Sequence, residues 1–280
     1  MIPAAFDYVR AETVDEAIAA LADPDAKVLA GGMSLLPMMK LRLARPSVLV
    51  DLGRLDLRGV TRAGDTIEIA AMTTYDELLR SDDGLPDALR EAVATVGDLQ
   101  VRNSGTVGGS IAHADPASDV SAAFVALGGR ARLQSAGGTR EVPADEFFVG
   151  VYTTVLRPQE LLTAVVIPVD PPGSGSAYAS VENDASGYPL AGAAVQVQVA
   201  GGQVASCRIG LTAVAAHPLR APAVESAVVA QDGAPGSAAI AAALEELPLH
   251  VDDYRAHLLT VVIRRAVETA CARARGEEQA

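Results

Sequence analysis

Apolar and polar residues alternate along this chain in short blocks whose period changes several times. Thr13-Val14-Asp15-Glu16 before Ala17-Ile18-Ala19-Ala20-Leu21 joins an N-cap candidate and acidic first-turn residues to an apolar face, which predicts a helix. Residues 26–30 read as a short strand, 35–43 as a helix with Pro37 in its tolerated first turn, and 48–52 as a buried strand. Ile67-Glu68-Ile69-Ala70 alternates as a strand does, residues 75–80 and 85–96 have helical spacing, and 116–127 reads as a helix capped by Asp115. Short alternating strands are expected at 130–135, 139–143 and 161–167, favouring an antiparallel sheet. Prolines and glycines then crowd residues 168–176, the best boundary in the chain. Beyond it come strands at 177–181, 191–200 and 204–215, with Gly201-Gly202 as a hairpin turn, and helices at 221–230, 237–246 and 254–275.

The pattern therefore predicts an α+β protein in two parts. Residues 1–172 divide near residue 55 into a small helix–strand unit and a mixed or antiparallel sheet with helices. Residues 173–280 carry a three-stranded antiparallel sheet with a helical bundle.

Two glycine-rich segments interrupt the apolar blocks. Ala30-Gly31-Gly32-Met33-Ser34 leaves the strand at 26–30, and Thr106-Val107-Gly108-Gly109-Ser110 precedes His113, Asp115 and Asp119. Glycine lets backbone N–H groups approach a ligand closely, and a neighbouring hydroxyl adds a donor, as a bound diphosphate requires. The first segment lacks the Lys-Ser/Thr ending of a P-loop and the Gly-x-Gly-x-x-Gly of a dinucleotide turn, so neither fold is claimed. Carboxylates would repel phosphate, so Asp115 and Asp119 are placed on ribose or ribityl hydroxyls. The ligand implied has both phosphates and a polyol.

Composition narrows the function classes. With 35 acidic and 22 basic residues the net charge is −13, which disfavours nucleic acid and anionic membrane surfaces, and no basic patch overrides it. No apolar run approaches the roughly 20 residues that span a bilayer. The first eight residues hold no basic leader or long apolar segment, so no secretory signal and a cytoplasmic location are expected. Cys207 and Cys271 form no Cys-x-x-Cys pattern and read as buried thiols, not metal or cluster ligands. A Ser110/His113/Asp115 triad is too crowded in sequence and lacks a nucleophile elbow; a metal site of His113, Asp115 and Asp119 lacks a second histidine or cysteine. His217, His250 and His257 read as surface or capping residues, and Met38-Met39 as core.

The residues also carry a family pattern. Ile2-Pro3-Ala4-Ala5-Phe6-Asp7-Tyr8, the run from Leu29 to Lys40, Ala71-Met72-Thr73-Thr74, Gly105 to Ser110, Asp115-Pro116-Ala117-Ser118-Asp119, Leu161-Leu162 before Ile167-Pro168, and Ile209-Gly210-Leu211-Thr212 resemble the FAD-binding medium subunit of the molybdenum hydroxylases. That family includes xanthine dehydrogenase and aerobic carbon monoxide dehydrogenase, and the likeness is to the carbon monoxide dehydrogenase branch.

The resemblance implies an oxidoreductase subunit that binds FAD. It places Lys27, Val28, Leu29, Ala30, Gly31, Gly32, Met33 and Ser34, with Thr106, Gly108, Gly109 and Ser110, around the diphosphate. His113 and Asp115 join the cofactor-binding set. Asp119 would bind the ribityl chain, Leu162 would meet the flavin through its backbone, and Tyr188 would sit near the isoalloxazine. No side chain need act as acid or base, since the cofactor carries the chemistry. Expected partners are a small [2Fe–2S] subunit and a large molybdenum-cofactor subunit, as a dimer of heterotrimers, cytoplasmic with association to the inner membrane face through the complex. The substrate at molybdenum, whether carbon monoxide, an aldehyde, an N-heterocycle or another, lies outside this chain. Between Glu182 and Gly187, where relatives often carry basic residues, this sequence has none, which favours a quinone acceptor over NAD. The competing readings are a self-sufficient FAD-linked oxidoreductase and a non-redox nucleotide-binding module. On these grounds Gly32→Val and Gly108→Val are expected to give folded protein without flavin colour.

Overall fold

The structure is a computed structural model and describes residues 2–277. Met1 and residues 278–280, the outer ends of the two expected parts, lie outside the described residues. The first layer contains β1 (Asp7–Arg10), α1 (Val14–Ala20), β2 (Lys27–Leu29), α2 (Leu35–Lys40) and β3 (Val48–Asp51). Its three strands are parallel, in the order β1-β3-β2. Thr13 starts α1 by accepting from the Glu16 amide, and Ala17 and Ile18 seal the helix against Val50 and Leu52. Strand β1, which the sequence pattern misses, is exposed along its whole length and exists through its pairing with β3.

The second layer follows with β4 (Val60–Ala63), β5 (Thr66–Ala70), α3 (Tyr75–Arg80), α4 (Asp87–Ala94), α5 (Leu99–Ser104), α6 (Val107–His113) and α7 (Asp119–Ala126). It continues with β6 (Arg130–Ser135), β7 (Gly138–Pro143), α8 (Ala144–Phe147), β8 (Phe148–Gly150), β9 (Thr153–Thr154) and β10 (Leu161–Pro168). The antiparallel order β4-β5-β10-β6-β7 makes β10 the central strand, and seven of its eight residues are buried. The helix expected over 116–127 begins later than its sequence implies. Ser118 caps α7 by accepting from the Ser121 amide, while Asp115 accepts from the Ala117 amide in a turn. All eight residues of α7 are buried, which explains why no polar face marks its start.

The third layer has β11 (Ser174–Glu182), β12 (Pro189–Ala200), β13 (Gln203–Thr212) and β14 (Leu219–Arg220), then α9 (Pro222–Ala230), α10 (Ser237–Leu244) and α11 (Asp253–Arg275). Gly201-Gly202 turns β12 into β13 as expected, and the two-residue β14 adds a fourth strand to the expected three. One sheet face, with Val195, Val197, Ile209 and Leu211, packs on Val262 and Ile263 of α11 and Val224 of α9, alongside the buried free thiols Cys207 and Cys271. Tyr178 and Ala194 join the core of the second layer instead. Helix α7 lies between, touching β12 and β13. From β13, Arg208 donates to the Val125 and Ala126 carbonyls at 3.0 and 3.1 Å, closing the C-terminal end of α7.

Three of the chain's four phenylalanines meet edge to face under α7: Phe124, Phe147 and Phe148, with centroids 5.2–6.3 Å apart. Phe124→Ala is therefore expected to lower unfolding free energy by about 3–5 kcal/mol in urea titrations.

Candidate functional site

Strand β2 delivers the first glycine segment. Val28 and Ala30 pack toward the N-terminal core, Lys27 is exposed, and Leu29 lies against Gly32. Gly32 is buried with φ +74°, a left-handed backbone that turns the chain from β2 into α2. Met33 and Ser34 face outward, and Ser34 makes no capping bond. Among the described residues, the amides of Gly31, Gly32, Met33 and Ser34 donate to no carbonyl or side chain. These are the unpartnered donors an anionic group needs.

The second glycine segment differs from its sequence reading. It is no loop: Thr106 caps α6, and Gly108, Gly109 and Ser110 lie in that helix. Its amides are already used. Val107 donates to the Thr73 carbonyl at 3.0 Å, Gly108 to Ala71 at 3.0 Å, Gly109 to the Thr106 hydroxyl at 3.1 Å, and Ser110 to the Thr106 carbonyl at 3.0 Å. Gly108 is a packing residue, since a Cβ there would stand 2.5 Å from Ala71 Cβ and 2.7 Å from its carbonyl oxygen. Gly108→Val would thus disturb the fold itself, and Gly32→Val would strain a left-handed residue against Leu36. Neither variant separates ligand binding from folding, contrary to the expectation from sequence.

The two segments nevertheless meet. The Ser104 hydroxyl donates to the Gly31 carbonyl at 2.8 Å, and a Cβ on Gly31 would fall 2.0 Å from the Ser104 carbonyl oxygen. Gly109 faces Ala30 closely enough that a Cβ would sit 3.6 Å from that methyl. Leu162 is buried on β10; the next residue, Thr163, accepts from the Ala71 amide at 2.9 Å, one contact removed from Gly108.

Beyond α6 the site becomes acidic and aromatic. Ser110, Ser118 and Ser121 share hydroxyl contacts of 2.9 Å, so Ser110 is engaged with Ser118 and forms no Ser/His/Asp relay. Asp119 is buried at the first position of α7 and accepts from the Tyr178 phenol. Burial raises its carboxyl to about 6, and the charges of Glu182 and Asp115 add to that. Burial likewise pushes the Tyr75 phenol, within reach of Ser110, up to about 12. The His113 ring lies 4.9 Å from that of Tyr152, and burial lowers the imidazole's pKa against the opposing pull of Asp115. Tyr188, 54% exposed on the β11–β12 connection, has its phenol raised by partial burial and by Asp115 and Asp119. Four of six tyrosines therefore share this neighbourhood. Sequence reasoning singled out Tyr188 alone; Tyr75, Tyr152 and Tyr178 occupy ordinary helix, hairpin and strand positions, where no local signal announces the partner. Tyr152 and Ala114 both hold left-handed backbones, φ 51° and 53°, joined by a 3.2 Å bond from the Tyr152 amide to the Ala114 carbonyl.

Unpartnered amides at one end and carboxylates with hydroxyls at the other form a donor and acceptor set that fits a ligand with phosphates and a polyol. Comparison with known proteins points the same way. Residues 4–170 match the family model described as FAD binding domain in molybdopterin dehydrogenase, and residues 176–270 match CO dehydrogenase flavoprotein C-terminal domain. The carbon monoxide dehydrogenase medium chain of Afipia carboxidovorans is 40% identical, over 98% of this chain and all of that one. The glyceraldehyde dehydrogenase medium chain of Sulfolobus acidocaldarius is 38% identical over 82% of this chain and 83% of its own. A solved reconstituted CO dehydrogenase from Oligotropha carboxidovorans superposes with a TM-score of 0.92 at 39% identity, covering 98% of this chain and 100% of that one.

The raised Asp119 carboxyl has a consequence for stability. A folded pKa near 6 against the ordinary 3.8 means that the folded chain holds this proton more tightly than the unfolded one. Its contribution is full below about 3.8 and is lost as pH rises through about 6. The melting temperature relative to Asp119→Asn should fall across that window in ligand-free protein; a constant difference would overturn the assignment.

Proposed function

Because this chain belongs to the family of FAD-binding medium subunits of the molybdenum hydroxylases, we propose that it is the electron-transfer subunit of a three-component complex. It would receive electrons from [2Fe–2S] clusters of a small subunit, which drain a molybdenum cofactor in a large one, within a dimer of heterotrimers in the cytoplasm. We assign residues 1–172 to FAD binding, with subdomains meeting near residue 55, and 173–280 to the C-terminal flavoprotein part. When bound, FAD supplies a redox group able to take up electrons singly and release them in pairs.

The observation that carries this reading is the row of free amides from Gly31 to Ser34 beside Gly109. In it, residues 27–34 hold the diphosphate by backbone, aided by the Thr106 and Ser110 side chains. Gly108 supports the site from behind. Asp119 accepts from ribityl hydroxyls, His113 and Asp115 line the same edge, Leu162 contributes backbone, and Tyr188 lies beside the ring system. The residue chemistry supports an acceptor without phosphates: Asp115, Asp119 and Glu182 gather here, and residues 177–190 hold no lysine or arginine. A nucleotide diphosphate is repelled by such an edge and a quinone is not. The relatives' names span carbon monoxide and glyceraldehyde at 40% and 38% identity, so likeness in this chain does not select the oxidised substrate.

The purified complex is expected to show flavin absorbance assigned to this chain. Ser34→Asp, at an exposed residue whose amide and hydroxyl have no hydrogen-bond partner, should weaken FAD binding roughly tenfold through repulsion while leaving the melting temperature unchanged. In stopped flow, quinone should reoxidise the flavin faster than NAD; equal rates would reject the acceptor assignment.

A further inference from the structure

One buried phenol near the site is left unused by the reading above. Tyr178 is 8% exposed on β11, and its hydroxyl donates to Asp119 Oδ1, from the third layer to the second. Ser180 lies within hydrogen-bond reach of the same phenol and can supply its acceptor contact, which leaves the phenolic proton for the carboxylate. Gly192, on the neighbouring strand, makes the room: a Cβ there would stand 2.4 Å from the Tyr178 hydroxyl oxygen. The phenol is thus fixed by a glycine beside it, a serine behind it and a carboxylate before it. Both Tyr178 and Asp119 are buried, and a buried donor opposite a buried carboxylate constrains its orientation more than any solvent contact would.

We propose that Tyr178 is a positioning residue for the cofactor: it holds one oxygen of Asp119 and leaves the other to accept from the ligand's hydroxyls. This rests on the assignment of FAD to the site. Tyr178 touches no ligand in this scheme and works through Asp119.

The bond also sets which form of Asp119 is present. Burial, Glu182 and Asp115 all favour the protonated carboxyl, and the Tyr178 bond opposes them. The groups facing Asp119 are Tyr75 from α3, Tyr188 from the β11–β12 connection, Asp115 ahead of α7, and Glu182 at the end of β11. None is a cation, so the phenol carries the role that a lysine or arginine would otherwise fill. Losing it favours protonation, and a protonated carboxyl is the poorer acceptor for a hydroxyl.

The test is FAD affinity as a function of pH, by fluorescence titration of the deflavinated complex, for wild type, Tyr178→Phe, Asp119→Asn and the double variant. Tyr178→Phe retains the buried ring, so circular dichroism should be unchanged. Affinity at neutral pH should fall roughly tenfold, and the pH at which it declines should move upward. In Asp119→Asn the pH dependence should vanish, and adding Tyr178→Phe should then cost little more. Tyr178→Phe with wild-type affinity and midpoint, or with an undiminished effect in the Asp119→Asn background, overturns the proposal. Absence of FAD binding by wild type would instead reject the assignment of the cofactor.

Discussion

The structure depends on two backbones meeting with no side chain between them. At Gly31 the chain leaving β2 lies so close to the end of α5 that a single methyl would collide with the Ser104 carbonyl, and the Ser104 hydroxyl ties the contact. Through it the turn leaving the small parallel sheet is held against the end of α5 in the second layer. The free amides of the first segment lie beside the same contact.

The second segment solves the opposite problem. Its glycines let α6 start against Ala71 and Thr73, with the Val107 and Gly108 amides consumed in that docking and those of Gly109 and Ser110 on Thr106. The site is therefore asymmetric, with backbone donors from one side and side chains from the other. Its acidic half lies where layers two and three join, and that position explains both the burial of Asp119 and the raised pKa values around it.

Much of the fold is legible in sequence because most elements have their own caps and periods. Thr13 with Glu16, the Thr74–Glu77 capping box, and the Gly201-Gly202 turn are local signals, and each lies at an element boundary. Elements that rest on distant partners are not legible: β1 exists by pairing with β3, and β14 by pairing with β13. The same division applies to the site. Both glycine segments are visible as composition, but which one keeps its amides depends on Thr73 and Ala71 meeting α6. Tyr178 is one apolar position of an alternating strand until the fold sets it against Asp119.

Helix α7 carries a meaning for the boundary at residues 168–176. It belongs by sequence to the first part, yet all its faces are buried, and it shares one core with Tyr178 and Ala194 of the second. Arg273 of α11 adds a tie across the join, to Glu91 of α4 and to the Ser176 carbonyl. A boundary in the chain is thus no boundary in cooperativity. The two parts should therefore melt as a single unit, and a cut between them would expose the apolar seam of Phe124, Tyr178 and Ala194.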